Sequence, residues 1–511
     1  MNINKKIVFR IILIVLISLS IISCLGIKSQ IRHHSGLNTE VVDASQFKTL
    51  FGKLAITHVN VLSTDSQSML ENQTVLINKD KIESVGQYTN IPQSYKIIDG
   101  TGQYLIPGLV DTHVHLYKSK NDLLLYLANG VTHIATMSSW DGLYLKWRGE
   151  EQEGALSPKI FVSAGGMTTE KGLMPKIRYL FGANKRYNTP SQGKKAVKEF
   201  KDLGYDAIKS YNLSKEVYFA VSKETKTQNI PMIGHLTPSA SLDDLFQSNQ
   251  SQLAHVEEIT KATMRDFGGR RYIFENNDNV QAYLTYLNKN ADDLAIKFKE
   301  NNIVVSTTIW LIESIVEQDT NLGNFLKTIE LEYMNPGIVE GSKFSSGWLP
   351  GSNRYENPNN TSQDGIKRAK IYWHTYVEAL HIMTRALVRN GAVITAGTDA
   401  NTAGTIAGFS LHDELQTLNN IGLTNAQVLD AATLAPALWM KSNAGKIEAG
   451  FRADLILLAK NPLEDIKNTK TINAVIANGK YLDRKELDNI LEAIKQVNNK
   501  VREVSINEYI N

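Results

Sequence analysis

Leu105-Ile106-Pro107-Gly108-Leu109-Val110-Asp111-Thr112-His113-Val114-His115 is the stretch from which the rest of the chain can be read. Pro107 and Gly108 break the backbone, and the β-branched run after them ends in two histidines. Side chains two apart on a strand point to the same side. Asp111, His113 and His115 are therefore expected to project together, with Val110, Thr112 and Val114 facing the other way. On a barrel strand that shared side would be the interior, with both imidazoles at the carboxyl end. Two imidazoles held on a rigid strand make half of a metal site.

Outward from this stretch, strand-like runs alternate with helical ones, the pattern of a parallel α/β fold. Eight strands are predicted: Leu109–His115, Val131–Ser138, Lys159–Ala164, Ala207–Tyr211, Pro231–Leu236, Gln252–Val256, Ile303–Thr308 and Ala392–Asp399. Helical stretches separate most of them; Ser241, ahead of Leu242 and Leu245, is a capping serine. Eight such units suit a (β/α)8 TIM barrel. Two connections, Glu257 to Asn290 and Leu311 to Gly365, are too long for plain loops. The second, with Tyr333, Trp348 and Tyr355, is expected to form a lid or substrate pocket. Before the barrel, Leu54–Leu62, Gln73–Asn78, Lys81–Val85 and Lys96–Asp99 predict a small β unit. Its partner is expected near the other end, at Ala453–Leu458 and Ala474–Ala477. Leu487, Ile490, Leu491 and Ile494 then sit at helical spacing and predict a docking helix.

The chain has 511 residues and a formal charge of +3, too small and too evenly spread to suggest nucleic acid. It carries no zinc-finger, P-loop or dinucleotide-binding fingerprint. At the N-terminus, Lys5, Lys6 and Arg10 precede an apolar stretch from Ile11 to Ile22, followed by Ser23 and Cys24. That order describes a secretory signal, and Ile21-Ile22-Ser23-Cys24 resembles a bacterial lipoprotein cleavage site. Cys24 is the only cysteine, so it is expected to carry lipid and not a disulfide. An uncleaved membrane anchor is the alternative. In either case the body is expected to be exported and tied to the membrane through a polar tether from about Lys28 to Gln46.

The polar residues near the predicted strand ends then fall into one set. Strand one supplies His113 and His115, strand four Lys209, strand five His235, strand six His255 and strand eight Asp399. The carboxyl ends of barrel strands share one face. Imidazoles and a carboxylate suit zinc and similar divalent ions, whereas a lysine ammonium would repel them. His33, His34, His58, His133, His374 and His381 are read as structural, His412 as a candidate to stand behind the ligands that is left out of the set, and Asp111 as a residue that orients a ligand.

Pro107–His115 and Gly397-Thr398-Asp399 resemble the signatures of the amidohydrolase superfamily, and the resemblance extends over about residues 54–480. It is strongest toward the imidazolonepropionase and prolidase-like dipeptidase branch. The resemblance implies a TIM barrel beside a composite β-sandwich. That gives a signal at 1–24, a linker at 25–50, sandwich parts at 51–108 and 445–482, a barrel at 109–444 and a helical tail at 483–511. It implies two divalent ions, zinc foremost. His113, His115 and Asp399 would hold the buried ion, His235 and His255 the exposed one, and Lys209, carboxylated by carbon dioxide, would bridge them. A hydroxide between ions about 3.5–4 Å apart is a strong nucleophile. It would attack the carbonyl of a small-molecule amide, such as a dipeptide or N-acyl amino acid, with Asp399 passing the proton to the leaving nitrogen.

One departure stands out: the branch often has Gly-Gly-His after strand three, where this chain has Gly165-Gly166-Met167. Tyr211, Arg270 and Arg271 are the substrate-binding candidates, for a carbonyl or carboxylate. Two rival readings remain. One is a mononuclear deaminase or cyclic-amide hydrolase on His113, His115, His235 and Asp399, against which Leu236-Thr237-Pro238 lacks the glutamate usual in deaminases. The other is a non-catalytic, lipid-anchored binding protein. Oligomeric state is not legible.

Overall fold

Gly108 marks the point where the chain leaves one sheet and enters another. A Cβ there would lie 2.1 Å from Thr132 Oγ1, so only glycine allows the two strands to pass this closely. The computed structural model describes residues 26–510 except 27, 89, 140, 173–184, 343–344 and 358–361. Cys24 and the apolar stretch Ile11–Ile22 lie outside the described residues. Among those described, no helix is long and apolar enough to cross a membrane.

Before Gly108 come five strands, β1 (Lys53–Leu62), β2 (Met69–Asn78), β3 (Lys81–Gly86), β4 (Lys96–Asp99) and β5 (Tyr104–Pro107). After it come β6 (Leu109–Val114), β7 (Val131–Ser139), β8 (Lys159–Thr168), β9 (Ala207–Asn212), β10 (Met232–Gly234), β11 (Gln252–Ala254), β12 (Val304–Ser306) and β13 (Ile394–Thr395). Each of these falls on one of the eight predicted stretches, with β7, β8 and β9 running past the predicted ends, β8 as far as Thr168. The later ones are shorter than predicted, because Gly234, His255, Thr308 and Asp399 take positive φ and turn the chain out of the ladder.

Strands β6 to β10 pair in parallel in chain order, as do β11 to β13. Parallel bridges at Met232–Gln250 and Val114–Ala400 join the two runs, giving a curled parallel sheet. The last strands, β14 (Leu455–Leu458), β15 (Ile472–Ala477) and β16 (Lys480–Asp483), return to the first sheet, where β14 lies antiparallel to β5. Strands from opposite ends of the sequence thus share the order β16-β15-β14-β5-β1-β2-β3, with β4 beside β1. Alternation explains why this sheet holds: Leu455, Leu457 and Ile476 enter a small core with Leu54, Ile56 and Leu105. Ile456, Leu458 and Val475 point the other way, into the main core.

The helices used below are α1 (Leu242–Phe246), α2 (Glu257–Asp266), α3 (Asn277–Glu300), α4 (Ile309–Phe325), α5 (Gln363–Arg389), α6 (Phe409–Asn420) and α7 (Arg484–Val501). Ser241 caps α1 in a capping box with Asp244. Helices α2 to α4 fill much of the two long connections. Of the three aromatics expected over the site, Trp348 is core material, packed among residues such as Leu322, Phe325 and Val339. Tyr333 stacks on Phe409 at 5.3 Å. Leu487, Ile490 and Ile494 of α7 are buried as a docking helix requires. The segment expected as a tether lies along the body instead. Val42 N donates to Asn121 Oδ1 at 2.9 Å, and Asn335 Nδ2 to Thr39 Oγ1 at 3.0 Å.

Candidate metal centre

His113 is near the end of β6 and His115 is just beyond it; Lys209 is in β9, and His235 and His255 directly follow β10 and β11. Asp399 lies in the turn after β13. The regular alternation expected along β6 is interrupted by a register shift between Asp111 and Val114. Thr112 Oγ1 therefore meets Ser306 Oγ and Thr395 Oγ1, each at 3.0 Å, while Asp111 bonds backbone. Two glycines allow the close approach of the other ligands. A Cβ on Gly234 would lie 2.4 Å from the Ser210 carbonyl oxygen and 2.7 Å from Lys209 Cγ. One on Gly397 would lie 2.9 Å from His113 Cβ.

All six side chains meet. Asp399 Oδ1 is 3.2 Å from His113 Nε2 and 3.0 Å from His115 Nε2. Lys209 Nζ lies 3.3 Å from His113 Nε2. The His255 ring is 4.4 Å from that of His113 and 4.8 Å from that of His235, centroid to centroid. His113 and Lys209 are 0% and 1% exposed, whereas the side chain of His115 reaches the opening.

Burial dominates the electrostatics. It pulls the His113 imidazole down to about 3, with the Lys209 charge adding. It lowers His235 and His255 in the same direction. It pulls Lys209 down to about 8, against the opposing charges of Asp399 and Glu258. Burial would raise Asp399, but His115 and His113 outweigh it and hold the carboxyl well below the usual range. The result is neutral rings at His113, His235 and His255, a carboxylate at Asp399 and an amine partly neutral near pH 7.

Asp111, expected to orient a ligand, is one of several bracing residues, and the others escaped the sequence reading. Asp111 Oδ1 accepts from His113 N at 3.2 Å and Thr398 N at 3.1 Å, and Oδ2 from Thr398 Oγ1 at 2.6 Å. Burial pushes this carboxyl up to about 7. His235 Nδ1 is 3.3 Å from Glu258 Oε1, which also accepts from Lys261 Nζ at 3.1 Å. His255 Nδ1 is 2.7 Å from Thr308 Oγ1. Thr308 has φ 51°, a strained value for a β-branched residue. Buried Glu414 on α6 holds that turn, accepting from Ile309 N at 3.1 Å, Trp310 N at 2.7 Å and the Thr307 hydroxyl. Thr308 ends a predicted strand, which was the one available signal. Glu258 and Glu414 gave none, being tied to the site only through the fold.

Tyr211 is at the opening, 51% exposed and edge-on to His235 at 4.7 Å. Arg270 lies over the Tyr372 ring at 4.8 Å and donates to its hydroxyl, on the α5 side; Arg271 is exposed. Neither is brought into contact with the histidine cluster. His412 is buried between Thr469 and the Asn129 carbonyl, and His133 beside Thr132, Ser442 and Asp454. Both are structural.

The donor set fits a cation. His113, His115 and Asp399 offer ligand atoms within 4.8 Å of one another. Asp399 Oδ1 is buried without a hydrogen-bond donor, between His113 Nε2 and His115 Nε2. Convergent lone pairs on neutral imidazoles and a carboxylate match zinc-like ions.

Residues 104–482 match the model of the amidohydrolase family. A 5'-deoxyadenosine deaminase of Methanococcus vannielii is 23% identical over 438 residues, spanning 76% of this chain and 83% of that enzyme. Among solved structures, bottromycin amidohydrolase superposes with a TM-score of 0.67 at 20% identity, covering 87% of this chain and 90% of that one. A Xaa-Pro dipeptidase with methionine in its active site superposes with a TM-score of 0.58 at 16% identity, covering 84% and 100%. At these identities the structural likeness speaks to the fold.

Proposed function

The chain belongs to the amidohydrolase family, and we propose that it hydrolyses a carbon–nitrogen bond of a small amide, a dipeptide or N-acyl amino acid, at a two-cation centre. The observation that carries this reading is Lys209, an amine buried at 1% exposure and 3.3 Å from His113 Nε2. A lysine among metal ligands makes sense as a carbamate.

His113, His115 and Asp399 would hold an inner cation, zinc by donor type, and His235 and His255 an outer one. With its pKa near 8, about a tenth of Lys209 is neutral at pH 7. The neutral amine forms an N–C bond to carbon dioxide and loses a proton, turning a repelling cation into a bridging anion. When bound, the cations polarise the scissile carbonyl and acidify water. Asp399 is ionised and takes the proton of the attacking water. It then returns that proton to the leaving nitrogen. Tyr211, beside His235, faces the substrate carbonyl. Arg270, held on the Tyr372 ring and hydroxyl, and exposed Arg271 are given no substrate contact in this reading.

The same reading closes the two parallel runs into a (β/α)8 barrel at 109–444, supported by the bridges at Met232–Gln250 and Val114–Ala400. It keeps the sandwich of 51–108 and 445–482 as a separate domain. Export and lipidation at Cys24 remain part of the proposal, checked by whether Cys24→Ser releases the protein from the membrane fraction.

The deaminase relative favours a second reading, a mononuclear deaminase on His113, His115, His235 and Asp399. Leu236-Thr237-Pro238 after His235 supplies no glutamate for it. The test is a panel of dipeptides, N-acyl amino acids, lactams and aminopurines, assayed with zinc, cobalt or manganese and bicarbonate. Bicarbonate-dependent amide hydrolysis is expected. Deamination alone would reverse the two readings.

A further inference from the structure

We propose that Arg354 is the anion-recognition residue of this site and that the substrate amide carries a carboxylate; this rests on the amide-hydrolase reading above. Arg354 precedes α5 in the connection after β12. Its guanidinium lies over the Tyr355 ring at 4.6 Å and donates to the Tyr355 hydroxyl. It is exposed and, among the described residues, has no carboxylate partner. Arg148, Arg389 and Arg452 by contrast pair with Asp206, Asp292 and Asp454, while Arg270 shares Arg354's arrangement on a tyrosine.

Two buried amides fix Arg354 to the loop that carries Asp399. Thr402 Oγ1 donates to Asp399 Oδ2 at 3.1 Å. The next residue, Ala403, accepts through its carbonyl from Gln318 Nε2 at 2.9 Å. Gln318 Oε1 accepts from Asn353 Nδ2 at 2.9 Å, and Asn353 Oδ1 from Tyr355 N at 2.8 Å. Gln318 is 1% and Asn353 7% exposed, so the path is rigid core and not a surface loop. The phenols of Tyr355 and Tyr117 are both raised, chiefly by burial, with Asp399 adding and Arg354 opposing. Both rings therefore stand in the fields of Asp399 and Arg354 together. A guanidinium laid on an aromatic face keeps its edge N–H groups available, and that planar fork matches a carboxylate.

The test uses the metal-loaded full chain and two readouts. In binding, 3-benzoylpropionate is compared with 3-benzoylpropionamide by calorimetry; the first is N-benzoylglycine with its amide N–H replaced by methylene and cannot be hydrolysed at that bond. Acetyl and hexanoyl homologues extend the series. In turnover, N-acyl amino acids are compared with their carboxamides. The wild type is expected to favour the carboxylate by about 10- to 100-fold in each. R354Q is expected to collapse that ratio, R354K to restore part of it, and R270Q to leave it standing. An undiminished ratio in R354Q, its loss in R270Q instead, or no carboxylate preference in the wild type would overturn the assignment. Carboxylate-selective binding through Arg354 with no amide turned over would sink the hydrolase reading and leave only the anion-recognition role of Arg354 standing.

Discussion

His113 and Asp399 are braced through the backbone, His235 and His255 through their own rings. On the inner side, one buried carboxyl, Asp111, bonds the His113 N–H, the Thr398 N–H and the Thr398 hydroxyl. The main chain closes the same half, Asp399 N donating to the His113 carbonyl at 2.8 Å. On the outer side, Glu258 meets His235 Nδ1 and Thr308 Oγ1 meets His255 Nδ1. An occupied Nδ1 sets the tautomer and leaves Nε2 as the ligand atom. The inner half is therefore fixed with the fold, and the outer half can be retuned by a single side chain.

That contrast breaks first at the shared carboxylate. Asp399→Asn is expected to lower kcat by about 10³-fold or more with the protein still folded, since it removes both a ligand and the proton carrier. Circular dichroism beside steady-state kinetics checks this. Next, Asp111→Ala should cost about 3–5 kcal/mol in denaturant midpoint experiments, because it orphans three buried donors. Thr308→Val should cost far less stability, yet weaken one of two cations by about 10- to 100-fold in chelator competition; Thr308→Ser should restore it. Equal stability losses for Asp111→Ala and Thr308→Val would erase the distinction between the halves.

The most gradual effect concerns pH. His113, His235 and His255 are held below 6.5 by burial, so the unfolded chain binds protons that the native one refuses. Stability of the metal-free protein should therefore fall as pH drops below 6.5, by up to about 1.4 kcal/mol per pH unit for each imidazole. For His113 that window runs down to about pH 3. Asp111 runs the other way: raised to about 7, it favours the fold as pH falls from 7 toward 3.8. Urea titrations of His113→Asn and Asp111→Asn between pH 4 and 8 separate the two slopes.

The candidate ligands were legible because they lie in or shortly after patterned strands, and the family's motifs order them. Their braces, Asp111 apart, were not. Glu414 reaches Thr307 across 107 positions of sequence, and no local spacing announces it. The break in alternation between Asp111 and Val114 was equally hidden, because Leu109–Val114 keeps an unbroken period-two pattern in sequence. Trp348 misled because an aromatic in a long connection looks the same in sequence whether it lines a pocket or fills a core. Tyr355, in the same connection, does stand near Asp399.

The most direct measurement counts metals per chain in wild type and Lys209→Ala, with a ¹³C spectrum recorded after incubation in labelled bicarbonate. Two equivalents and a carbamate resonance in the wild type are predicted, with one equivalent or none and no resonance in the variant. A single metal in both proteins, with no resonance in either, would contradict a two-cation centre bridged by Lys209.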